Sequence, residues 1–178
     1  MSLRCACLSF LILIYGCVHP SSQPSFTHFP PQFYVEQRLV IQLPDTTKTL
    51  RAQVEKRGER VDLLLVEPLW GVTLLRAAIT QAGAVSIAYQ APDLAEHDFP
   101  VAAIAQSIAH LYWGQNFEKK GDSYELKVPD TVYTYTLRDI WGEPSSSCLF
   151  PREIDLHFAD ARYAIKIETT ELQCEVAP

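Results

Sequence analysis

The chain is 178 residues long and 48% hydrophobic, enough apolar material for a real core and too much for a disordered chain. Its formal net charge of -6 argues against nucleic acid as a partner, because phosphate binding needs a basic footprint. Beyond the first residues there is no apolar run of the roughly 20 residues that a membrane-spanning helix requires, and no internal repeat.

The chain opens Met1-Ser2-Leu3-Arg4, then an apolar run from Cys5 to Tyr15, then Gly16-Cys17. One positive charge followed by roughly a dozen apolar residues fits a secretory signal, and the run is too short to cross a bilayer. The junction Ile14-Tyr15-Gly16-Cys17 resembles the lipobox of bacterial lipoproteins, with Ile14 where Leu is usual. That resemblance implies a signal peptide over residues 1–16, cleaved before Cys17, and acyl chains on Cys17 as the link to membrane lipid. Two or three chains would hold the protein stably where one would not. Val18 follows the cysteine, where an Asp would imply retention in the inner membrane. The implied location is therefore the outer membrane, with the domain facing the periplasm. Residues 17–32 include Val18-His19-Pro20-Ser21-Ser22-Gln23-Pro24-Ser25, polar and Pro-rich, and are expected to be a tether. The domain proper is expected over 33–178, the usual size of one unit.

The dominant pattern along that domain is alternation with period two, the mark of half-buried strands. Leu39, Ile41 and Leu43 share one face of a first strand. Leu50, Ala52 and Val54 alternate with charged residues in a second. Lys56-Arg57-Gly58-Glu59-Arg60 is expected to be a charged turn. Val61 to Val66 makes a third strand, Glu67-Pro68-Leu69-Trp70-Gly71 a turn, Val72 to Ile79 a fourth strand, and Val85, Ile87 and Tyr89 a fifth. Short connections predict an antiparallel meander. The period then changes. Val101, Ile104, Ile108 and Leu111 fall on one helical face, with Asp98 and Pro100 as start signals and Gly114 as the stop. Ala102, Ala103, Ala105 and Ala109 make this helix slim. Strands resume at Tyr124-Leu126-Val128 and Val132 to Leu137. A final hairpin pairs Ile154–Phe158 with Tyr163–Ile167 around Ala159-Ala161, with Pro151 interrupting its first arm. Cys148 and Cys174 flank that hairpin, so they either form a disulfide, which the periplasm permits, or pack as two buried thiols.

About nine strands and one helix predict an α+β, mainly β fold: a curled antiparallel sheet or half-open barrel with a helical lid. The order of elements resembles that of the LolA/LolB superfamily of lipoprotein carriers and receptors. The similarity is sharpest in Gly58-Glu59-Arg60-Val61-Asp62-Leu63-Leu64-Leu65-Val66-Glu67-Pro68-Leu69-Trp70-Gly71 and in Pro151-Arg152-Glu153-Ile154-Asp155-Leu156, and closer to LolB. It implies an apolar cavity that holds acyl chains. In the receptor a Pro-Leu-Gly hairpin projects a Leu that helps deliver cargo to the membrane. Leu69 matches that Leu, and Trp70 is inserted beside it. The chain also resembles LolB-like lipoproteins of aryl-polyene and related lipid gene clusters, which would imply a different passenger.

Leu69 and Trp70 are the candidate contact with membrane or cargo, or else fold back onto the core. The candidate cavity wall is Leu63, Leu65, Leu74, Ile87, Ile104 and Ile108. No nucleophile motif, phosphate loop or metal spacing appears, and His19, His28, His97, His110 and His157 are scattered, so no catalysis, metal or cofactor is expected. Two functions follow. One is an outer-membrane lipoprotein that takes a lipid or acylated cargo from a periplasmic carrier and passes it to the membrane. The other is a non-catalytic assembly lipoprotein that binds a protein partner, with its interior filled by side chains.

Overall fold

In the computed structural model, residues 26–92, 94, 101–115, 117–127, 133–142, 148–158 and 164–174 are described. Cys17, the lipobox and the final hairpin's turn lie outside them. Ten strands form one antiparallel sheet: β1 (Gln32–Gln42), β2 (Thr47–Arg57), β3 (Arg60–Val66), β4 (Thr73–Thr80), β5 (Val85–Gln90), β6 (Glu118–Lys120), β7 (Ser123–Lys127), β8 (Tyr133–Trp141), β9 (Phe150–Phe158) and β10 (Ala164–Cys174). The order across the sheet is β5-β4-β3-β2-β1-β10-β9-β8-β7-β6. The expected meander is therefore present, and β1 joins it to a second meander by pairing with β10. The sheet is not closed, because β5 and β6 do not pair with each other.

Alternation explains why these residues form strands. Phe33, Val35, Leu39 and Ile41 of β1, Leu50, Ala52 and Val54 of β2, and Val61, Leu63 and Leu65 of β3 are all buried. Facing ladder partners point to the same side: Leu39 lies opposite Leu50 and Ile167, and Val54 opposite Leu63. One face of the sheet therefore carries the core and the other is left to water. The helix α1 (Val101–Tyr112) lies against the apolar face and buries Ile104, Ala105, Ile108, Leu111 and Tyr112. Among the described residues it is one short helix of 12 residues, so the lid is minimal.

Four features differ from the sequence reading. Phe26 and Phe29 are buried, so the folded domain begins six or so residues before the expected end of the tether at 32. Their rings meet Tyr112, Phe117, Tyr124 and Phe150 edge to face, a long-range packing that composition does not display. Lys56 is not in a turn. It continues the inward face of Leu50, Ala52 and Val54, and only Gly58 and Glu59 turn the chain. β6 is a strand of three exposed residues without apolar alternation, held by its ladder to β7. Pro151 lies within β9, where the ladder to β10 has already ended at Glu153, so its missing N–H breaks no bond on that side.

Candidate functional site

Three places on this frame combine apolar surface with distinctive polar chemistry. The first is the seam between α1 and the sheet. Leu63, Ile104 and Ile108 meet here with Leu39, Val54, Leu156, Ile165 and Ile167 around a void of about 10 Å³. That is room for one water molecule at most. The expected acyl-chain cavity is thus filled, because the slim helix settles directly onto the sheet. The seam is not wholly apolar. Tyr112 Oη donates to Gln37 Oε1 (2.9 Å), Tyr135 Oη donates to the Ser107 carbonyl (2.7 Å), and Lys56 Nζ donates to the Tyr112 carbonyl (2.8 Å). Gln37, Ser107, Tyr112 and Tyr135 are buried, and burial pushes the Tyr112 phenol well above its usual range. Such polar groups tie the helix to one position. They also regain water partners if it lifts, which an all-apolar seam could not do.

The candidate wall residues do not all belong together. Leu63, Leu65, Ile104 and Ile108 are buried, and Leu74 is partly buried against the core. Ile87 is 44% exposed and lines no such seam, a correction with a clear cause. β5 is an edge strand, and the sheet's apolar face is covered by α1 only in part there.

The second place is the β3–β4 hairpin. Glu67 N–H donates to the Val72 carbonyl and Gly71 N–H to the Glu67 carbonyl, with Gly71 in the left-handed region (φ 67°) that closes the turn without strain. The Glu67 carboxylate accepts the N–H groups of Leu69 (2.9 Å) and Trp70 (2.6 Å). The backbone is thereby satisfied from within the loop and the side chains are left outside. Leu69 is 82% and Trp70 83% exposed, and Val72 beside them is exposed too. They do not fold back onto the core.

The third place was not found from sequence. Thr27, His28, Phe29, Pro31, Lys56, Glu59, Gln81, Trp113 and Phe117 line an open hollow of about 740 Å³. It sits where β1 begins, at the end of the sheet that carries the β2–β3 and β4–β5 turns. The Leu69 hairpin is at the opposite end. The signal available in the sequence was one charged residue, Lys56, on an otherwise apolar strand face.

Cys148 and Cys174 are joined as a disulfide, with Cα atoms 6.0 Å apart and a separation of 26 positions in sequence. Closing a loop of that length stabilises the domain by about 3–4 kcal/mol in the chain-entropy account. Among the described residues no three metal-ligating side chains gather, and no helix is long and apolar enough to cross a membrane.

No family model and no curated protein matches the chain. Solved structures that resemble it include a LolA-superfamily protein from Nitrosomonas europaea, at 11% identity and a TM-score of 0.48 over 85% of this chain and 90% of that one. Another is a putative outer membrane lipoprotein-sorting protein domain from Vibrio parahaemolyticus, at 7% identity and 0.43 over 83% and 86%. A third is a DUF1329-family protein from Desulfovibrio piger, at 11% and 0.42 over 84% and 88%. Identities and scores this low transfer no residue role and no activity.

Proposed function

We propose that this protein is a lipid-anchored outer-membrane lipoprotein that binds a lipid or acylated cargo on the concave face of its sheet and passes it to the membrane. The observation that carries the reading is the hairpin tip, where Leu69 and Trp70 are held in solvent by the Glu67 carboxylate. A Leu-Trp pair costs free energy in water and suits the lipid interface, where Trp is favoured. The anchor is Cys17, acylated after cleavage of residues 1–16, with a periplasmic carrier as donor. No catalytic step and no cofactor is assigned.

The filled seam sets a condition on this function. Cargo occupies the concave face only when α1 lifts, so α1 is the lid, and the bonds from Lys56, Tyr112 and Tyr135 are its latch. Transfer then needs no nucleotide if each partner binds the cargo more tightly than the last.

The same seam favours a second reading, an assembly lipoprotein that grips a protein partner and carries no cargo. Native mass spectrometry of the domain from Val18 onward, purified from periplasm, separates the two. The cargo reading expects a co-purifying acylated species, or uptake of an apolar fluorescent probe. A bare mass with no probe uptake would sink it in favour of the assembly protein.

A further inference from the structure

The hollow at the start of β1 has the composition of a ligand site, at the end of the seam where Lys56 of β2 meets the last turn of α1. Its volume of about 740 Å³ is within the range of small-molecule pockets. Phe29, Pro31, Trp113 and Phe117 give it apolar walls, and the ring of Phe29 is packed edge to face on Tyr112 and Phe117, so that wall is rigid.

At its floor lies Lys56, only 6% exposed. Its ammonium has three protons to donate. One goes to the Tyr112 carbonyl, and the Trp113 and Phe33 rings lie 5.6 and 6.0 Å from Nζ. No carboxylate of the described residues is ion-paired with it: its neighbour Glu55 pairs with Arg57 instead. Buried charges are ordinarily paired. The other titratable groups on the walls are Tyr112, which is buried, and His28 and Glu59, both exposed, while Lys56 also borders a second hollow lined by Glu55, Arg57 and Glu171.

We infer that this hollow is a binding site for an amphiphilic oxyanion, a carboxylate on an apolar stem, with its head on the Lys56 ammonium and its stem along Phe29, Trp113 and Phe117. The oxyanion supplies the partner the ammonium lacks, and the aromatic walls supply the area for the stem. The site is formed with α1 seated, since Trp113 follows the helix directly and Lys56 bonds its last carbonyl. Burial pulls the Lys56 pKa down to about 8, so a bound anion would be felt as a rise in that value, and binding weakens once the amine loses its proton.

The probes are decanoate, its neutral counterpart decanol, and acetate as a head without a stem. Calorimetric titration of the folded domain at pH 7 is expected to show decanoate binding about tenfold or more tighter than decanol, with acetate silent. The Trp113 indole N–H resonance is expected to shift with decanoate, which ties the binding to this hollow. The preference for decanoate should disappear in Lys56→Met. In the wild type it should fall about tenfold per unit above roughly pH 8, a range in which decanoate itself stays ionised. The pH series decides the matter even if Lys56→Met does not fold. Equal affinities for decanoate and decanol at pH 7, a preference unchanged at pH 9.5, or an unmoved Trp113 resonance would each overturn the assignment.

Discussion

Lys56 shows how a single residue departs from the rule that governs its neighbours. It occupies an inward position of β2, in line with Leu50, Ala52 and Val54, yet carries a charge. Its long stem lies in the apolar layer while its head donates to the Tyr112 carbonyl at the end of α1, where a cation is favoured by the helix dipole. The cost is visible in its proton affinity, lowered from 10.5 to about 8 by burial. The sign of the pH effect follows. Between about pH 8 and 10.5 the unfolded chain keeps the proton that the folded one releases, so this residue's contribution to stability rises with pH. Urea denaturation of the wild type and Lys56→Met at pH 7 and 9.5 checks this. The difference between them is expected to move in the wild type's favour at the higher pH. Gly114 is a second case where one residue is constrained by its surroundings. A Cβ there would lie 2.4 Å from Leu126 Cδ2 and 2.9 Å from the His110 carbonyl, so the chain leaving α1 passes too close for any side chain.

At the scale of elements, α1 is attached to the sheet by apolar area and by three buried hydrogen bonds. The area is small, since several of its residues are alanine, and the bonds therefore weigh more in fixing its position. Tyr135→Phe removes the donor to the Ser107 carbonyl while keeping the ring. It is expected to cost about 1 kcal/mol of stability, with amide exchange accelerated in α1 more than in β1 and β2. Uniform acceleration across the sheet would mean that the helix is not a separate unit and cannot serve as a lid. The two sheet edges differ as well. β6 is three residues long and charged, the usual protection of an edge, whereas β5 bears no charge over Val85–Gln90.

At the scale of the molecule, the start of β1 and the Leu69 hairpin lie at opposite ends of the sheet. β1 begins beside the β2–β3 turn, and β3 runs from there to the hairpin, seven residues or about 23 Å away. Residues 17–25, fully extended, reach about 30 Å. A domain anchored through Cys17 can therefore turn its hairpin back to the same membrane only by using nearly all of that length. Deleting residues 18–25 is expected to leave anchoring intact but to remove the Trp70-dependent part of the fluorescence quenching by brominated lipids. Quenching that survives the deletion and still depends on Trp70 would mean that the hairpin reaches the bilayer by another route.

What the sequence determined by itself was the set of strands with an apolar face, β1 to β5 and β7 to β10, and the helix at Val101–Tyr112, because those faces repeat with a clear period. Close connections also made the meander legible, since adjacent strands joined by a few residues pair antiparallel. β6 escaped because it has no apolar face, and Phe26 and Phe29 escaped because their partners, Tyr112, Phe117 and Phe150, are far along the chain. The sequence left open which way Leu69 and Trp70 point; they are exposed, with their N–H groups bonded to the Glu67 carboxylate within the same loop. Only the tertiary structure decided that α1 packs directly onto the sheet's apolar face and that Lys56 lines a hollow. Those outcomes depend on how closely a slim helix settles onto the sheet, a matter of fit in space that no periodicity along the chain encodes.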